Sequence, residues 1–147
     1  MNKKRVNEWI LPARQAIIDN GIPENGVIDK TFRGQIATFG AAVVMGSLKS
    51  AIAFFAEQNK SSVDRPKLIK AMYQIIDKDH KQAETTQEVF QFVCDNYSYE
   101  LVEKFTDASI ALKLAFNFFL LVDDPKKYKD GKLIKSGESQ GENNAEP

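Results

Sequence analysis

The chain contains very few of the residues on which metal centres and histidine catalysis depend. Its 147 residues include one cysteine, Cys94, and one histidine, His80. A single cysteine excludes an internal disulfide and a multi-cysteine zinc site, and a single histidine excludes a multi-histidine metal centre. Neither sign of charge is in excess, because 20 Lys and Arg residues balance 20 Asp and Glu residues. This balance argues against attraction of nucleic acid by bulk charge, but it is compatible with a local basic patch.

Signals for export or membrane insertion are also lacking. Residues 1–7 are basic, but no apolar stretch with a small-residue cleavage site follows them. The most apolar stretch, residues 34–56, carries Lys49 in its body, and a lysine in the middle of a span is costly in a bilayer. We therefore expect a cytoplasmic protein that does not have a membrane among its partners.

Length and hydrophobic periodicity predict one all-α domain. A chain of 147 residues corresponds to a single domain, and helical spacing recurs along it while alternating strand patterns are almost absent. We predict a compact bundle of five to six helices over residues 1–125. From residue 126 onward Lys, Asp, Gly, Ser, Glu and Asn dominate, so residues 126–147 are predicted to form a flexible, disordered polar tail.

Two of the predicted helices differ in pattern. A helix over residues 30–58 has apolar side chains nearly all round its axis, which is typical of a buried central helix. A helix that opens at Asp64, Arg65 and Pro66 has an apolar arc and an opposite polar arc. The polar arc consists of four lysines and one glutamine: Lys67, Lys70, Gln74, Lys78 and Lys81.

Three further segments read as helices. A helix over residues 2–19 contains Pro12, which should kink or split it. A short helix is predicted over residues 86–95. The last helix is predicted over residues 99–122, with an interruption near residues 106–107.

Asp77, Asp79 and His80 form the cluster that best fits enzymatic chemistry, because two carboxylates and an imidazole can bind a metal ion. Adjacent residues on a helix point about 100° apart, so we interpret the cluster as a solvated helix end. Cys94 lies among apolar residues and is interpreted as a core or partly buried thiol. No phosphate-binding glycine loop, nucleophile elbow or dinucleotide motif is present. We therefore predict no enzymatic activity, no bound metal and no cofactor.

Positive charge is concentrated in the first part of the chain. Residues 1–60 carry eight basic and five acidic residues, whereas residues 61–122 carry seven basic and nine acidic residues. Lysines along one helix face can follow a phosphate backbone without reading its sequence. Lysines also simply solubilise an amphipathic helix, so the residues alone indicate no more than a helical binding or assembly module.

Small, aromatic and basic residues recur at a distinctive spacing in residues 33–58. They are Arg33-Gly34, Ile36, Thr38-Phe39-Gly40-Ala41, Gly46-Ser47-Leu48 and Ala53-Phe54-Phe55. Together with residues 64–76, this pattern resembles the small subunit of the Cmr complex, the type III-B CRISPR effector that uses a guide RNA to bind and cut target RNA. The first helix is also similar to the family's opening, including its internal Pro12. Lys49-Ser50 departs from the family's frequent Leu-Pro, and residues 117–121 are apolar where many members are basic.

The resemblance implies a non-catalytic structural role in antiviral defence. In the family, small subunits stack with copies of themselves, and their basic faces line the channel that holds target RNA and its guide, while other subunits cleave. The partners expected from this resemblance are other Cmr subunits, copies of this chain, crRNA and target RNA. Arg33 matches the family's basic position. The other candidate nucleic-acid-binding residues are chosen from their placement: Arg14, Lys30, Lys49, Lys67 and Lys70.

Two alternatives stay open. The first is a helical protein-interaction module that makes no RNA contact. The second is a metal-dependent nuclease that uses Asp77, Asp79 and His80.

Overall fold

The computed structural model describes residues 1–57 and 63–135 and shows an all-α architecture. Over these residues there are six α-helices: α1 (Lys3–Asp19), α2 (Thr31–Met45), α3 (Leu48–Phe55), α4 (Arg65–Ile76), α5 (Thr86–Asp95) and α6 (Tyr99–Ala115). Four two-residue strands accompany them: β1 (Ile28–Asp29), β2 (Leu121–Val122), β3 (Tyr128–Lys129) and β4 (Lys132–Leu133). The predicted fold class, an all-α bundle of five to six helices, is therefore confirmed.

Local hydrogen bonds explain where several helices begin. The side chain of Asn2 accepts a hydrogen bond from the backbone N–H of Arg5 and so caps α1. The Thr85 hydroxyl accepts from the N–H of Glu88 in the same way, and α5 has the predicted bounds. Helix α1 runs through Pro12 without a break, so the chain is not split there.

Helix α6 is continuous through residues 106–107, where an interruption was expected. The reason is that Asp107 is fully buried and faces α1 rather than ending the helix. Its Oδ2 atom accepts a hydrogen bond from Arg5 Nε at 3.0 Å and forms an ion pair with Arg5 Nη2 at 2.8 Å. A paired carboxylate can be buried at much lower cost than an isolated one, and here the pair joins α1 to α6.

The prediction of one central helix over residues 30–58 is wrong. The helix stops at Met45, and a second helix starts at Leu48 after Ser47, whose side chain accepts a hydrogen bond from the N–H of Ser50. Val44 and Met45 are 84% and 87% exposed, so the end of α2 faces outward. Residue 58 lies outside the described residues.

The central helix of the bundle is instead α4. It packs against every other α-helix, and eight of its 12 residues are buried. Even Gln74, which the sequence placed on a solvated arc, is buried. Its amide donates to Asp19 Oδ2 at 2.8 Å and accepts from Asn20 Nδ2 at 3.0 Å, so the end of α1 covers this side of α4.

After α6 the described chain continues in regular elements as far as β4, so residues 126–133 of the predicted flexible tail have defined structure. A 3₁₀ turn at Phe116–Phe118 ends α6, and β2 then pairs in parallel with β1. Strands β3 and β4 form an antiparallel hairpin with Tyr128 opposite Leu133. The hairpin is ordered because it docks on an earlier loop. Residues 136–147, the rest of the predicted tail, lie outside the described residues.

The hairpin meets that loop through two glycines. Gly26 and Gly131 both have a φ of 81°, a conformation that suits glycine. A Cβ atom at Gly26 would collide with the backbone nitrogen of Gly131, which donates a hydrogen bond to the Asn25 carbonyl at 2.9 Å. This backbone-to-backbone contact leaves no room for a side chain at residue 26.

Within residues 1–57 and 63–135, no helix has both the length and the apolar character that a membrane span requires.

Candidate nucleic-acid interface

Three basic side chains line one open depression, here called the basic depression. Its lining includes Lys30 and Arg33 at the start of α2 and Lys113 near the end of α6, with Gly34 and Ala37 between them. All three basic residues are exposed. Gly34 and Ala37 have little side-chain bulk and do not fill the depression. A Cβ atom added at Gly34 would meet nothing within 4 Å. The depression therefore presents three basic side chains to an anion that enters it.

The fold brings these side chains together from distant parts of the sequence. Strand β1 precedes α2 directly and pairs with β2, which follows the end of α6. Two hydrogen bonds fix this junction: Ile28 N–H donates to the Leu120 carbonyl at 2.9 Å, and Lys30 N–H donates to the Val122 carbonyl at 2.8 Å. The start of α2 and the end of α6 are thus held side by side.

Lys30 has a carboxylate partner at the edge of the basic depression. Its Nζ atom forms an ion pair with Asp123, and both side chains are exposed to solvent. The hydrogen bond and the charge of Asp123 raise the pKa of the Lys30 ammonium, while the same contact lowers the pKa of the Asp123 carboxyl. Within the part of the chain that the structure describes, neither Arg33 nor Lys113 forms an ion pair. No carboxylate of the described residues therefore competes with a ligand for these two cations.

Four of the six candidate residues do not line this depression. The guanidinium of Arg14 lies over the ring of Phe119, with 5.8 Å to the ring centroid, and Lys49 Nζ lies 4.8 Å from the centroid of Tyr97. Lys67 Nζ donates to the Gly21 carbonyl at 2.8 Å, and Lys70 is half-buried on the same helix. The predicted lysine face of α4 is thus turned partly toward α1. It does not form a continuous solvated stripe.

The acidic cluster after α4 has other structural roles. Asp77 Oδ2 accepts hydrogen bonds from the backbone N–H groups of Asp79 and Lys81, at 3.0 and 3.1 Å. His80 adopts a φ of 53°, and its Nδ1 lies 3.1 Å from the Gln74 carbonyl oxygen. Among the described residues there is no group of three His, Cys, Asp or Glu side chains placed to hold a metal ion.

Sequence reasoning missed Lys113. Its spacing on α6 marks it only as a solvated residue, and nothing in the local sequence connects it with residues 30–33. The signal that could have found it is long-range, because it depends on the pairing of β1 with β2.

Comparisons of the chain with protein-family models, with curated proteins and with solved structures find no match.

Proposed function

We propose that this chain is a non-catalytic structural subunit of an RNA-guided RNA-targeting complex of the Cmr type. In this role it stacks with copies of itself and with neighbouring subunits, and it holds RNA through phosphate contacts. The resemblance of residues 33–58 to the family's small subunit suggests the complex. The observation that carries the RNA contact is the convergence of Lys30, Arg33 and Lys113 on one open depression.

The chemistry of the basic depression favours phosphate. Arg33 offers a planar fork of N–H donors that matches phosphate oxygens, and Lys113 adds a compact charge from the facing helix. Neither Asn nor Gln, the side chains that pair with the edge of adenine, is among the described residues that line the depression. Contacts of this kind hold a nucleic-acid backbone in position without selecting its sequence.

The test measures RNA affinity as a function of salt for Arg33→Gln and Lys113→Gln. Each substitution should weaken binding about equally across RNA sequences and lower the salt slope by roughly one unit. Lys78→Gln is the matched control, since Lys78 is an exposed lysine outside the depression. Equal losses for the control and the two variants would contradict the site, and a loss confined to one RNA sequence would contradict backbone contact.

Membership of the complex is tested separately, by affinity purification of the tagged chain from a host that expresses a Cmr complex. Co-purification of guide RNA with repeat-derived ends and of large partner subunits supports the proposal. Recovery of the chain alone overturns it.

A protein-interaction module without RNA contact is the second candidate function, and the exposed Val44 and Met45 favour it. Adjacent large apolar side chains with this exposure are typical of an association surface. If this candidate is correct, Arg33→Gln leaves RNA retention unchanged while Val44→Ser with Met45→Ser abolishes partner binding.

A further inference from the structure

A second groove adjoins the basic depression, and the two share Lys30 and Leu121 as lining residues. The groove, here called the hairpin groove, lies between β2 and the β3–β4 hairpin. Its other lining residues include Asp123, Asp124, Lys127, Tyr128 and Leu133. A ligand held by the three cations can therefore extend directly into the hairpin groove.

The basic depression and the hairpin groove differ in the chemistry of their lining residues. The basic depression is lined by three cations, and the carboxylate of Asp123 pairs with one of them, Lys30, at its edge. The hairpin groove presents an aromatic ring and an aliphatic side chain, Tyr128 and Leu133, which lie opposite each other in the hairpin. Asp123 and Asp124 also line it together with Lys30 and Lys127, so the two carboxylates and the two ammonium groups balance and the lining offers no excess of positive charge to a phosphate. The groove thus fits a flat, uncharged group with hydrogen-bond donors on its edge.

We propose that the hairpin groove takes an unpaired nucleobase of an RNA strand whose phosphate lies in the basic depression. Every base has a π-face that can stack on an aromatic ring, and the donors of its edge can meet the carboxylates. This inference rests on the proposed function and adds to it the class of RNA, a single strand. In a duplex the bases are stacked and paired, so they are not free to enter the groove.

The experiment compares Tyr128→Ala with the unaltered full chain for two ligands. One is a short fluorescein-labelled single-stranded RNA, and the other is the same strand annealed to its complement. Loss of one stacked base should weaken single-strand binding by roughly 5- to 150-fold and leave duplex binding unchanged. Tyr128→Phe, which keeps the ring, should restore single-strand affinity. Tyr99→Ala removes a tyrosine that lies outside the groove and should have no effect.

A second variant guards against a folding defect. Leu133 is 61% exposed, so Leu133→Ser should leave the fold intact while it weakens single-strand binding. The hairpin assignment is overturned if neither Tyr128→Ala nor Leu133→Ser changes single-strand affinity while Lys113→Gln does. It is also overturned if single-strand and duplex affinities fall together. If the unaltered chain binds neither RNA, the proposed function itself fails.

Discussion

Helices α2 and α4 reverse what their compositions suggest. Only one of the 15 residues of α2 is charged, yet only three of them are buried. Helix α4 carries Arg65, Lys67 and Lys70 in 12 residues, yet eight are buried. Neighbours decide the difference, because α4 lies among all the other helices whereas α2 packs against α3, α4 and α6. Apolar content therefore measures how much surface a helix could bury, and the bundle determines how much it does bury.

The comparison draws attention to the side of α2 that the bundle leaves exposed. Its outward side contains small residues beside the basic depression at one end and the exposed Val44 and Met45 at the other. An apolar surface that the bundle does not use is available for assembly. Helix α4, by contrast, packs against all the other helices and contributes most of its residues to the interior of the bundle.

The largest expected effect is the difference in stability loss between substitutions of two methionines, Met72 and Met45. Met72 on α4 is fully buried, so Met72→Ala should lower the free energy of unfolding by about 2–5 kcal/mol through lost apolar burial and a residual cavity. Met45→Ala on α2 should change it by less than about 0.5 kcal/mol, because Met45 is exposed. Urea unfolding of both variants is the measurement. Similar losses at the two positions would erase the contrast between the helices.

A second contrast concerns two glutamines, Gln74 on α4 and Gln35 on α2. Gln74→Ala leaves Asp19 and Asn20 without their buried partner and should cost about 1–3 kcal/mol in the free energy of unfolding. Gln35→Ala on α2 is the control and should cost less, because Gln35 is only half-buried. Thermal unfolding of the two variants checks the difference. A Gln74→Ala variant as stable as the control would mean that the bond network with α1 contributes nothing.

Gly40→Ala should be mildly stabilising. Gly40 lies inside α2, and a Cβ atom there would meet nothing within 4 Å. Glycine in a helix interior costs roughly 0.5–1 kcal/mol relative to alanine, so the free energy of unfolding should rise by about that amount. A fall measured by urea unfolding would show that the space beside Gly40 is needed by the protein.

The smallest effect concerns the ion pair at the start of α2. Because the contact lowers the pKa of the Asp123 carboxyl, its stabilisation is present above the ordinary Asp pKa and is lost as the pH falls through the lowered value. The raised pKa of Lys30 places the other loss at high pH, as the ammonium deprotonates. A ¹³C NMR titration should give an Asp123 midpoint below 3.8, the ordinary value. In a Lys30→Met variant the midpoint should return toward it.

The sequence predicts local structure well, but it predicts poorly which side chains other helices will bury. The bounds of α5 and the proline-led start of α4 depend on neighbouring residues, and the sequence predicted both. The break at Gly46 and Ser47 was missed because apolar residues continue across it, although the Ser47 cap was readable. Gln74 looked solvated because no local pattern shows that α1 will cover it.

The candidate site divides in the same way. Arg33 was predicted from the family resemblance and Lys30 from its placement near it, and both line the basic depression. Lys113 and Tyr128 were missed because only the pairing of β1 with β2 and the docking of the hairpin bring them near. Their place in the site depends on tertiary structure that no residue spacing encodes.

The pairing of β1 with β2 has a consequence for the time at which the basic depression forms during synthesis. Lys113 lies 80 residues after Arg33, and Leu121 lies further on. At about 5–20 residues per second, a ribosome adds Lys113 roughly 4–16 s after Arg33. Throughout that interval the growing chain carries two of the depression's three cations, Lys30 and Arg33, without the third. A basic depression assembled from two distant parts of the sequence is therefore absent from the young nascent chain.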